Sequence, residues 1–203
     1  MGLLMEFNYT NAYIELRNKD LTKLDTFVKN FVSILEKDMD YVIISGYVAI
    51  LFGRSRNSED IDVFIKKTDY DDFKVFWDNI NKGYECINTR DPKKAFEDYL
   101  SDNIPIRFAR KNEFIPNFEI KFPKSELDRW TLDEKIKVLI NDYKLFISPL
   151  ELEIPYKLYL GSDKDIEDAR FLYKFFKGHI DNNLLIEFNQ KLKTNELFDR
   201  FIK

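Results

Sequence analysis

Apolar positions follow two periods along this chain. Leu24, Phe27, Val28, Phe31, Val32 and Leu35 recur at spacings of three and four, which predicts an amphipathic helix from about Leu21 to Glu36. Tyr41-Val42-Ile43-Ile44 is a continuous apolar run, as a buried strand gives. Ser45-Gly46 breaks it, and Tyr47 to Phe52 predicts a short helix ending at Gly53. After a polar loop from Arg54 to Glu59, the next strand is expected over Asp60 to Ile65 and an amphipathic helix over Tyr70 to Ile80 around Phe73, Phe76 and Trp77. A weak strand near Tyr84 to Ile87 and a helix from Pro92 to Leu100 follow. Strands are predicted at Ile104 to Ala109 and Asn117 to Phe122, joined by a polar turn containing Pro116, and a hairpin at Lys135 to Ile140 and Lys144 to Ile147 around Asn141-Asp142.

Beyond that point the pattern is helical. Ser148-Pro149-Leu150-Glu151 reads as a capping box with proline at the first helical position. Gly161 closes that helix, Ser162 with Asp165 opens the next, and a third begins near Asp181. The expected organisation is an α/β part over residues 1–147 and a helical C-terminal part over residues 148–203.

Composition narrows the chemistry. The chain of 203 residues is 44% hydrophobic and 16% aromatic, which is enough for a packed core rather than disorder. A formal charge of -4 argues against coating nucleic acid by bulk electrostatics. The short basic clusters Lys66-Lys67, Arg107/Arg110/Lys111 and Lys121/Lys124 read as solvated faces. With Cys86 and His179 each single of its kind, an intrachain disulfide and a Cys/His zinc site are excluded, and His179 after Gly178 reads as a surface histidine. No stretch reaches the roughly 20 apolar residues of a membrane span, and the start MGLLMEFNYT lacks a signal-peptide pattern, so a cytoplasmic location and no membrane partner are expected. The chemistry falls to carboxylates and basic side chains.

One stretch is rich in candidates. On a strand, residues two apart share a face, so Asp60 and Asp62 point one way while Ile61 and Val63 point into the core. Neighbouring carboxylates repel unless a cation stands between them, and hard oxygen ligands suit Mg²⁺. Ser45-Gly46 lies where a buried strand turns into a helix, a place where free backbone N–H groups meet phosphate. Gly46 lets the backbone approach a ligand closely, and Ser45 is able to cap the helix. A phosphate cradle and a metal pair within one strand-helix-strand unit describe a nucleoside triphosphate site.

Ile44-Ser45-Gly46 followed, after thirteen intervening residues, by Asp60-Ile61-Asp62 resembles the signature of the nucleotidyltransferase superfamily of DNA polymerase beta, kanamycin nucleotidyltransferase and the minimal nucleotidyltransferases. Ser45 departs from it, standing where the first glycine is usual. Arg56-x-Ser58-x-Asp60-Ile61-Asp62 looks like the form found in AbiEii-like proteins, whose members include toxins of toxin-antitoxin systems. Ser148-Pro149, Lys157 and Lys164-Asp165-Ile166-Glu167-Asp168 resemble the helical region of that group. The resemblance implies a mixed β-sheet flanked by helices, and two Mg²⁺ (or Mn²⁺) ions on Asp60, Asp62 and a third carboxylate. Glu119 is the candidate, since Phe118, Ile120 and Phe122 face the core; Glu113 and Asp102 are the alternatives if the strand register differs. It further implies Ser45 and Gly46 at the β- and γ-phosphates, and Arg56, Ser58 and Lys157 neutralising developing charge.

Plainer roles compete. Asp60 and Asp62 alone would be a solvent face, Glu119 a surface glutamate, and Lys157 a surface ion pair with Glu153 four residues earlier. Lys164, Asp165 and Asp168 would simply cap and solubilise a helix start. The resemblance points to an enzyme that moves a nucleoside monophosphate from an NTP to a macromolecule, a tRNA or a protein, with a cognate antitoxin as a further partner. The alternatives are a non-catalytic nucleotide- or partner-binding member of the same fold, and a modifier of small molecules of the antibiotic-resistance kind.

Overall fold

The structure, a computed structural model, describes residues 6–10 and 13–202. Thr22 opens helix α1 (Lys23–Asp38): its hydroxyl accepts from the Asp25 N–H while the Asp25 carboxylate accepts from the Thr22 N–H, a reciprocal capping box. Phe27, Val28, Phe31, Val32 and Leu35 form its buried stripe. Asp25 also takes a bond from the hydroxyl of buried Tyr47, at 2.7 Å, which ties α1 to α2 (Gly46–Leu51).

Among the described residues nine strands form one mixed sheet. They are β1 (Glu6–Tyr9), β2 (Ile14–Arg17), β3 (Tyr41–Ile44), β4 (Asp60–Ile65), β5 (Tyr84–Cys86), β6 (Ile106–Arg110), β7 (Asn117–Lys121), β8 (Ile136–Ile140) and β9 (Tyr143–Ile147), in the spatial order β1-β2-β8-β9-β3-β4-β7-β6-β5. β3 and β4 run antiparallel, and β7 joins β4 in parallel. Alternation then divides the sheet into two faces. Tyr41, Ile43, Ile61, Val63, Phe118 and Ile120 enter the main core with α1 and α3 (Tyr70–Ile80). Val42, Ile44 and Phe64 point the other way and meet Leu132 of α5 (Glu126–Asp133). This second face is covered only in part, and its uncovered section carries the charged candidates.

The expected elements are present within a residue or two, with informative differences. The helix expected from Pro92 is a turn, α4 (Pro92–Lys94), that widens into a π-helical segment at Ala95–Leu100. β1, β2, α5 and a fourth C-terminal helix at Asn195–Phe201 were not foreseen. Ser125 and Asp128 form a capping box for α5, a signal present in the sequence, whereas β1 and β2 alternate in burial but are only four residues each, too short for the alternation to stand out. Ser148 does not cap the helix that follows. Pro149 occupies the N-cap position of α6 (Leu150–Leu160), and Glu151 instead accepts from the Asp181 N–H at 3.0 Å.

Gly161, left-handed at φ 72, ends α6, and Ser162 caps α7 (Asp163–Phe176) as expected. α8 (Asn182–Leu192), capped by Asp181, and α9 (Asn195–Phe201) complete the chain. His179 is exposed and stacks on Tyr9. None of the helices is long and apolar enough to cross a membrane among the described residues.

Candidate active site

Strand register builds the site. In the parallel β4–β7 pair Asp60 faces Asn117 and Asp62 faces Glu119; in the antiparallel β6–β7 pair Arg107 faces Glu119. Asp62, Glu119 and Arg107 therefore form a row across three strands, on the face opposite Ile61, Val63, Phe118 and Ile120. Glu119 lies beside Asp62, while Glu113 sits in the turn before β7 and Asp102 in the exposed turn after the π-helical segment.

Each carboxylate has a nitrogen partner. The Asn117 amide donates to Asp60 Oδ1 at 2.7 Å, and the Lys121 ammonium donates to Asp62 Oδ1 at 2.8 Å. Arg107 donates twice to Glu119 Oε2, at 2.7 and 3.0 Å. Lys121 also stands 3.8 Å from Glu119 Oε1. Burial pulls the Lys121 ammonium towards losing its proton, but the Asp62 charge and hydrogen bond, with Glu119, more than offset that and raise its pKa. Arg107 and Lys121 are thus not merely a solvated basic face, the role their sequence clusters suggested. Among the described residues no three acidic, histidine or cysteine side chains are grouped as metal ligands, so a hard divalent cation here would rest on two carboxylates and on oxygens from a substrate.

The Ser45-Gly46 turn stands next to this row, since Ile44 pairs with Asp62. Ser45 has φ 64 and ψ −136, a combination that favours glycine, and its side chain makes no capping bond, contrary to the expected cap. Gly46 is required by close approach: a Cβ there would collide with the Arg56 guanidinium, with Ser58 Oγ at 3.4 Å. Ser58 Oγ itself donates to the Asp60 carbonyl at 2.9 Å, fixing the loop at the start of β4.

Arg56 is held from behind by a buried ion network. Asp168 of α7 is fully buried and receives Arg56 at 2.9 Å, Lys157 at 3.0 Å and Arg54 at 3.2 Å. Lys157 is fully buried too, with Asp165 at 3.7 Å and Glu153 at 3.8 Å. The surface pair expected for Lys157 and Glu153 is therefore interior, and Asp168 does not solubilise a helix start. Burial pushes the Glu153 carboxyl up, with Lys157, the Ser45 N–H and the Ser148 hydroxyl pulling it back. Arg56 Nε is buried without a hydrogen-bond partner among the described residues.

The sequence reading missed Arg54, Asn117, Arg107 and Lys121 as partners. Only the two-residue spacing of Asn117, Glu119 and Lys121 hinted that all three share the carboxylate face. An open cleft of about 1290 Å³ lies on the other side of the loop, with Arg56, Ser58, Lys23 and Arg110 among its walls. Asp60, Asp62 and Glu119 stand outside it, on the sheet face.

No protein-family model matches the chain. Over 132 residues it is 28% identical to a UPF0246 protein of Flavobacterium psychrophilum, aligning 55% of this chain with 51% of that protein. The chain spans about half the length of that curated relative, whose name states no activity. Among solved structures it is similar to an antigenic nucleotidyltransferase-like protein from Paracoccidioides brasiliensis, with a TM-score of 0.55, 16% identity, and coverage of 89% of this chain and 92% of that one. It is also similar to the antibiotic-resistance factor ANT(2'')-Ia, with a TM-score of 0.53, 12% identity, and coverage of 86% and 96%. Both likenesses are of fold: a mixed sheet flanked by helices, of nucleotidyltransferase type.

Proposed function

We propose that this chain transfers a nucleoside monophosphate from an NTP to a hydroxyl group of a macromolecule, a tRNA or a protein, in the cytoplasm and under the control of a cognate antitoxin. The observation that carries the reading is the register that sets Asp62 beside Glu119, with Asp60 on the same face and the Ser45-Gly46 turn next to them. The nucleotidyltransferase-type fold of the two solved structures supports it.

In this reading Asp60 and Asp62 would hold Mg²⁺ or Mn²⁺, which would supply positive charge for the developing negative charge of phosphoryl transfer. Glu119 accepts the proton of the acceptor hydroxyl. That oxygen forms a bond to the α-phosphorus, the bond from the α-phosphorus to the bridging oxygen breaks, and pyrophosphate leaves with the electron pair. Ser45 and Gly46 lie beside the β- and γ-phosphates, Arg56, packed against Gly46, adds positive charge next to them, and Ser58 fixes the loop. Lys157 acts through Asp168, which holds Arg56 in place.

The test is incubation with each α-labelled NTP and Mg²⁺ or Mn²⁺, against separate RNA, protein and small-molecule fractions of a lysate. Label transferred by the wild type and lost in the Asp60→Ala, Asp62→Ala double variant is expected. Transfer confined to the small-molecule fraction would make the chain a modifier of small acceptors. Nucleotide binding with no transfer to any fraction would make it a non-catalytic binding protein.

A further inference from the structure

The carboxylate row contains its own cation. Lys121 reaches from β7 to place its ammonium 2.8 Å from Asp62 Oδ1 and 3.8 Å from Glu119 Oε1, in the gap between the two acids. Its position is fixed at both ends: the residue is part of the β4–β7 ladder, opposite Phe64, and the ammonium lies 5.7 Å from the Phe64 ring centroid. The other Glu119 oxygen is taken by two donors from Arg107. Asp60 differs from both neighbours, because its partner is the neutral amide of Asn117.

This matters for how many divalent ions the site holds. In a two-metal site the ions stand about 3.5–4 Å apart and share carboxylate ligands. A second ion bound to both Asp62 and Glu119 would need the gap that Lys121 fills, at a separation where its repulsion with an ammonium is large. Asp60 takes its hydrogen bond from a neutral amide, and although the Arg107 guanidinium feels the charges of Asp60 and Asp62 it makes its own bonds to Glu119, so Asp60 with the remaining oxygen of Asp62 suits one ion that also takes substrate phosphate oxygens.

Resting on the metal reading of Asp60 and Asp62 above, we infer that Lys121 supplies the second positive charge of this site, so that the chain binds one divalent cation together with the nucleotide, not two. Lys121 is then a positioning residue: its tethered charge holds Asp62 and Glu119 together, in the place of an ion drawn from solution.

Mn²⁺ bound per chain, measured by electron paramagnetic resonance with each of the four α,β-methylene nucleoside triphosphates at saturation, tests this directly and needs no turnover. One Mn²⁺ is expected for the wild type and for Lys121→Arg, which keeps the charge, and two for Lys121→Met. Circular dichroism establishes that the variants are folded. Two Mn²⁺ in the wild type, or one in a folded Lys121→Met, would overturn the inference while leaving the metal reading of Asp60 and Asp62 in place. Binding of no Mn²⁺ by any of the three proteins would instead remove that metal reading and the inference with it.

Discussion

Arg56 Nη2 lies 2.9 Å from Asp168 Oδ2 and, on its other side, fills the space where a side chain on residue 46 would begin. One guanidinium thus joins the turn after β3 to the middle of α7, more than a hundred residues later. Arg56 is flexible in isolation, but the buried partner removes its freedom to yield. Gly46→Ala is therefore expected to push Arg56 off Asp168 and to destabilise the fold by about 1–3 kcal/mol. In an Arg56→Ala background most of that cost should vanish. Urea unfolding of the four proteins of this double-mutant cycle measures the coupling; additive effects would mean that Arg56 does not determine the need for glycine.

Asp168 concentrates the cost of the network. It is buried among Lys157, Arg54 and Arg56, and Lys157 has no solvent exposure of its own. Asp168→Ala would leave a buried ammonium short of its nearest counter-charge, a change that typically costs about 3–5 kcal/mol. Asp78 pairs with Lys74 on the surface of α3, and Asp78→Ala should change stability by no more than about 0.5 kcal/mol. Comparable losses in the two variants, measured by chemical denaturation, would contradict the assigned role of burial.

The strand bearing Asp60 and Asp62 was legible because a period of two with apolar neighbours has one structural solution, and Ile61 and Val63 are indeed buried. The same parity put Glu119 and Lys121 on one face. Which acid Glu119 would meet was not legible, since that depends on a parallel register between strands more than fifty residues apart. Asp168 was readable as part of a helix start but not as the hub for Arg54, Arg56 and Lys157, because local periodicity carries no information about long-range ion pairs. Ser148 misled for a related reason: Pro149 holds the N-cap position, the Ser148 hydroxyl donates to the Pro149 carbonyl and to buried Glu153, and Glu151 accepts from the distant Asp181 N–H.

Ser45 offers a test of strain. Its φ of 64 and ψ of −136 are costly for a residue with a Cβ, and its hydroxyl gives no capping bond in return. Ser45→Gly is expected to stabilise the protein by about 1 kcal/mol, and Ser45→Ala to leave stability nearly unchanged. Thermal unfolding of both variants checks the pair. A large loss in Ser45→Ala would show that the hydroxyl has a structural partner after all.

Asp25 contributes to the response to acid. Burial alone would raise its carboxyl, but the Lys19 ammonium at 2.6 Å, the Thr22 N–H at 3.0 Å and the Tyr47 hydroxyl at 2.7 Å outweigh burial and lower it. A carboxyl lowered by folding binds its proton more readily in the unfolded chain. Its contribution to stability is then complete above the unfolded value, about 3.9, and is lost as pH falls through the lower folded value. Asp25→Asn should therefore cost about 1.5–3 kcal/mol at pH 7. The difference from wild type should hold down to about pH 4 and shrink below it, as Asp25 itself becomes neutral. Urea unfolding of both proteins between pH 7 and pH 3 measures the gap. A gap that stays constant through the acid range would mean that the charge on Asp25 does not hold the start of α1 to Lys19 and Tyr47.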